Sequence, residues 1–121
     1  MDNRSRNGNN ETIEIEKAKA VITVELVEYL PNSVVIKTIL RKSTGNVSVM
    51  SVDQGEGLTE RTSPFDTYVQ VIDGQADIVI SGVSNLLQVG QSIVIPAHAS
   101  NLVKPNGRFK LLMTVIKSGY E

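Results

Sequence analysis

The sequence predicts an all-β chain, a sandwich or barrel of short strands with at most one short helix near its N-terminus. Three observations carry that reading. From Ser33 onward, short runs rich in β-branched residues are separated by turn residues at intervals of roughly eight to twelve positions. Pairs that favour tight turns, Thr44-Gly45, Asp73-Gly74 and Ser81-Gly82, fall between those runs. Beyond Leu30 the apolar residues do not recur at helical spacing.

Taken in order, Met1 to Thr12 hold four Asn and two Arg, with Met1 the only large apolar side chain. Such a segment buries too little apolar surface to offset its ordering entropy, so residues 1–12 are expected to be a disordered tail and residues 13–121 one domain. The tail has no apolar stretch of the kind a secretory signal needs. Thr23 to Leu30 (TVELVEYL) carry the only helical character: Thr23 is placed to cap, and Val24, Val27 and Leu30 fall near one face before Pro31-Asn32 ends the segment. Strands are expected over Val34–Arg41, Val47–Val52, Thr67–Ile72, Ala76–Ile80, Leu86–Val89, Ser92–Ile95 and Arg108–Lys117. Asp73-Gly74 is read as the two-residue turn of a hairpin joining the third and fourth of these. Gly55 and Gly57 suit a corner where the chain passes between two sheets. Pro96 cannot donate to a ladder and should end a strand near a barrel mouth. In the last strand Phe109, Leu111, Met113 and Val115 share one apolar face.

Composition excludes more chemistry than it suggests. A length of 121 residues fits one domain against a prior of about 150. Twelve Lys and Arg against thirteen Asp and Glu give a net charge of −1, which argues against holding nucleic acid or an anionic membrane by bulk electrostatics. Lys104, Arg108 and Lys110, and the pair Arg41-Lys42, are read as solvated loop ends. No cysteine is present, so disulfides, thiolate metal sites and thiol nucleophiles are excluded. His98 is the single histidine, so a multi-histidine metal site cannot be assembled within one chain. No apolar run approaches the roughly 18 residues a membrane helix requires, and a cytoplasmic location is expected.

The glycine and proline spacing resembles that of the cupin superfamily, whose two motifs are G-x5-H-x-H-x3-E-x6-G and G-x5-P-x-G-x2-H-x3-N. Gly55 and Gly74 frame the first, Gly90 and Pro96 the second, in matching register. The run from Glu60 to Ile78, together with Gly90–Ala97 and Arg108–Ile116, is similar to small bacterial single-domain cupins. The resemblance extends from about Val21 to Lys117 and implies a double-stranded β-helix, or jelly-roll barrel.

In metal-binding members of that superfamily the two His and the Glu of the first motif converge with the His of the second on one metal. Here those four positions hold Arg61, Ser63, Thr67 and Asn101. Arg repels a cation, while Ser, Thr and Asn are poor ligands for transition metals, so the resemblance implies a barrel without metal or other cofactor. His98 falls where the second motif has its glycine. It is read either as a polar loop residue or as a general base beside Asp66 or Glu60. Turned inward, Arg61 would need a carboxylate from Asp66, Glu60 or Glu56, or else an anionic ligand, because an unpaired buried cation is costly.

The expected function is therefore binding of a small anionic or sugar-like ligand by Arg61, Ser63, Thr67 and Asn101, or a structural or regulatory role, without catalysis. The alternatives are a metal-independent isomerase or lyase using His98 with an acidic neighbour, and a metalloenzyme with ligands drawn from His98, Asp66, Glu60 and Glu56. A homodimer is expected, with Val21–Ile39 as its interface.

Overall fold

The computed structural model describes residues 14–119, so the tail expected over residues 1–12 lies outside the described residues. A single 3-10 turn, Thr23–Glu25, precedes nine strands: β1 (Val34–Lys42), β2 (Gly45–Val52), β3 (Leu58–Arg61), β4 (Asp66–Gly74), β5 (Ala76–Ile80), β6 (Val83–Leu87), β7 (Ser92–Ile95), β8 (Asn101–Val103) and β9 (Phe109–Ile116). They form two antiparallel sheets, one ordered β1-β2-β9-β4-β7 and the other β3-β8-β5-β6. No helix among the described residues is long and apolar enough to cross a membrane.

Strand alternation builds the core. Phe109, Leu111 and Met113 of β9 lie opposite Val52, Met50 and Ser48 of β2, and Leu111 and Met113 also face Val71 and Val69 of β4. These residues share the inner face of the larger sheet and meet Ala76, Ile78, Leu87 and Val103 from the smaller one. Phe109, Ile78 and Val71 are fully buried, each burial contributing roughly 1.5–3 kcal/mol.

Part of the outer face of the larger sheet, over β2 and β9, is covered as well, by residues 22–30. Val49 of β2 points outward yet is 0% exposed, and Val27 is 4% exposed. Polar contacts hold this segment down: the Ser51 hydroxyl donates to the Glu28 carbonyl, Lys110 Nζ to the Val24 carbonyl, and the Tyr29 hydroxyl to Asp73 Oδ2 at 2.6 Å. Arg108 and Lys110 both stand over the Tyr29 ring. The basic cluster near Pro105 is thus a set of clasps, with Arg108 also bonded to Asp53 and Lys104 paired with Asp77.

Four expectations are corrected. β4 and β5 are not a hairpin: β4 pairs with β9 and β7, and β5 with β6 and β8, so Asp73-Gly74 carries the chain from one sheet to the other. Gly74 is still required, because its φ is +70° and a Cβ there would approach the Arg108 carbonyl oxygen to 2.1 Å. Thr23 lies inside the 3-10 turn rather than capping it; Ile22 precedes it without a side-chain cap bond. The strand expected at Leu86–Val89 begins earlier, at Val83, because Asn85 satisfies its side chain on the Ile78 and Val83 carbonyls and fits the ladder. Finally, β3 and β8 form strands at sites where none is expected. Four and three residues long, they are too short to show a period. The corner at Gly55 and Gly57 is as expected, since β2 and β3 belong to different sheets.

Candidate functional site at the barrel mouth

The unexpected pair β3–β8 is what positions Arg61. Leu58 lies opposite Val103 and Arg61 opposite Asn101, so Thr59 and Glu60 face only Leu102 across the ladder. This is a β-bulge, and it re-aims the strand. Without the extra residue, Leu58 and Arg61 would point to opposite faces; with it, both stand on the face of their partners. Those partners are interior: Val103 is 3% and Asn101 5% exposed, and they lie opposite Ile78 and Ile80 of β5. By register Arg61 therefore stands on the interior-facing side of its strand, at the open end of the barrel, where its side chain is exposed to solvent.

Its electrostatic setting follows from that position. Desolvation by the barrel wall holds the guanidinium below the ordinary arginine value. No carboxylate offsets it: among the described residues Arg61 forms no ion pair. Two of the acids expected as partners make other contacts. Glu60 accepts a hydrogen bond from the Ser100 hydroxyl, and Asp66 Oδ1 accepts one from the Ala97 amide at 2.8 Å.

Asn101 is the second element. Its Nδ2 donates to the Arg61 carbonyl at 3.2 Å and the Ala99 carbonyl at 3.3 Å. Its Oδ1 is buried and has no hydrogen-bond partner. A buried acceptor left unpaired costs about 1–3 kcal/mol, so this atom is a conspicuous feature of the mouth.

Thr67 faces inward from the opposite sheet, across the ladders from Ile95 and Val115. Ser63 sits in the β3–β4 loop, where its hydroxyl accepts the Phe65 amide and its carbonyl accepts the His98 amide at 2.6 Å. The loop 96–100 thus links Ser63, Asp66 and Glu60 at one end of the barrel. Asn46, half-buried and opposite Val115 on the inner face of β2, adds a polar group there. Sequence reasoning missed Asn46, because next to Thr44-Gly45 it has the composition of a turn.

His98 is exposed, and its imidazole makes no hydrogen bond among the described residues. Its backbone has φ of +69°, which accounts for a glycine at that place in the motif. A catalytic His needs an orienting partner, and no hydrogen bond or ion pair among the described residues gives it one. Among the described residues no three His, Asp or Glu side chains come together as a metal-ligating cluster. The four positions at which cupins hold a metal do not fit one here, since they supply a guanidinium, two hydroxyls and an amide. A surface depression of about 430 Å³ beside β3 is bordered by Glu56 and Glu60 and no basic residue, which disfavours an anion there.

No family model and no curated protein matches the chain. Solved structures do. A conserved protein of unknown function from Streptococcus pyogenes superposes with a TM-score of 0.82 at 26% identity, over 93% of this chain and 99% of that one. A cupin 2 conserved barrel domain protein from Leptotrichia buccalis is 30% identical, with a TM-score of 0.74 over 78% of this chain. The match spans about half of that protein's length, 46%. A cupin superfamily protein from Desulfitobacterium hafniense gives a TM-score of 0.80 at 22% identity, covering 88% and 97%. With two antiparallel sheets that exchange strands at Gly57 and Gly74, and with these structures as its neighbours, the chain is a small cupin-fold protein.

Proposed function

We propose that the protein binds a small anion at the barrel mouth through Arg61, without a metal and without catalysis. The observation that carries this reading is the state of Arg61: set by the bulge on the face of Asn101, partly desolvated, and without an ion pair among the described residues. A guanidinium so placed is stabilised by an anion that takes two of its parallel N–H donors. Thr67, Ser63 and Asn101 supply polar groups at the same end of the barrel. The deeper interior is filled by Val69, Val71, Phe109 and Ile78, so the ligand is small and held at the rim.

A thermal-shift series over small carboxylates and sugar phosphates tests the proposal. Stabilisation should rise with ligand concentration and vanish in Arg61→Gln. If no compound stabilises the wild-type chain, the barrel serves as a structural or regulatory module instead. Elemental analysis of the purified protein should find no stoichiometric transition metal; finding one would contradict the metal-free part.

A further inference from the structure

Arg61 and Asn101 make opposite demands on whatever fills the mouth. A guanidinium has only donors, so its partner must accept. Asn101 Oδ1 can only accept, so its partner must donate. Rotating the amide to exchange its ends would break both bonds from Nδ2, to the Arg61 and Ala99 carbonyls, and that fixes the oxygen as the unpaired end. The residue is 5% exposed, too enclosed for bulk water to satisfy this atom freely.

We infer that the ligand is an anion carrying its own hydroxyl donor beside the charge, as in a 2-hydroxycarboxylate or a hydrogen phosphate group. The anionic oxygens take the Arg61 donors while the hydroxyl donates to Asn101 Oδ1. This inference rests on the anion-binding reading of Arg61 and adds what that reading leaves open, namely the chemistry next to the charge. An anion without a donor leaves Oδ1 unpaired, as in the free protein, and forgoes that hydrogen bond.

Two matched pairs test it in the full-length chain, followed by NMR titration: glycolate against acetate, and hydrogen phosphate against sulfate. Within each pair charge and size are similar, and only the hydroxyl donor differs. The member with a hydroxyl should bind at least about tenfold more tightly in one or both pairs. Which pair discriminates tells carboxylate from phosphate chemistry. In Asn101→Leu the preference should disappear while Arg61-dependent binding persists; the wild-type comparison stands even where that variant does not fold. Equal affinity within both pairs overturns the inference and leaves the anion site intact. Failure of all four to bind overturns the anion reading, and this inference with it.

Discussion

Asn101 lies directly across the β3–β8 ladder from Arg61 and donates its Nδ2 to the Arg61 carbonyl oxygen at 3.2 Å. The same amide group donates to the Ala99 carbonyl, so one buried side chain ties the loop before β8 to the end of β3. The backbone that carries the mouth cation is thereby fixed by the residue that shares its face. Replacing Asn101 with Ala should leave two carbonyls short of a donor and lower stability by about 1–3 kcal/mol in denaturant unfolding. An unchanged midpoint would mean that the loop is held by other contacts.

His98 offers a test with the opposite sign. Its φ of +69° is the left-handed conformation, which costs a non-glycine residue about 1–2 kcal/mol. Glycine removes that cost but adds unfolded-state entropy of about 0.4–1 kcal/mol. His98→Gly should therefore raise stability by roughly 0.5–1 kcal/mol and leave anion binding unchanged. A variant that loses anion binding would show that the imidazole belongs to the site.

How much of this was legible in the sequence depends on the element. Val47–Val52 and Arg108–Lys117 announce themselves because alternation over a long strand is a repeated signal. The four motif positions are also legible, since Gly55, Gly74, Gly90 and Pro96 are backbone requirements that fix register. The inward turn of Arg61 is not. It depends on a bulge at Thr59 and Glu60 in a four-residue strand, and a bulge leaves no period to read. Asp73-Gly74 misleads for a related reason: a positive φ serves a crossover between sheets as well as a hairpin, and pairing partners are a tertiary choice. The orphan Asn101 oxygen, likewise, exists only once Ala99 and Arg61 have taken the amide hydrogens.

The clasp of residues 22–30 predicts an alkaline response. Burial first, then the neighbouring Asp73 carboxylate, push the Tyr29 hydroxyl well above its ordinary value. Its proton is thus held in the folded state and released more readily in the unfolded one. That contribution is complete below about pH 10 and is lost as pH rises past it. Tyr29→Phe should cost about 0.5–1.5 kcal/mol at neutral pH and flatten the decline above pH 10. Equal slopes for both proteins would separate Tyr29 from the alkaline limb.

Edge strand β1 leaves Val34, Ile36 and Leu40 exposed, Ile36 at 58%, with Val21, Ile22 and Leu30 exposed as well. We propose that two copies pair across this region, which would cover these apolar side chains. Light scattering should give a mass near twice 13.2 kDa, and Ile36→Lys should shift it toward the single-chain value. A wild-type mass of one chain would rule the pairing out.

If Arg61 holds an anion as proposed, its own side-chain NMR signal reports the binding. With the arginine side chains labelled, hydrogen phosphate or glycolate is titrated into the wild-type chain and into Arg61→Gln. The Arg61 Nε–H resonance should shift saturably in the wild type, with the neighbouring Asn101 amide following, and Arg61→Gln should show neither response. An Arg61 resonance that stays in place across the whole titration, with these and the other small anions, would rule out anion binding at Arg61.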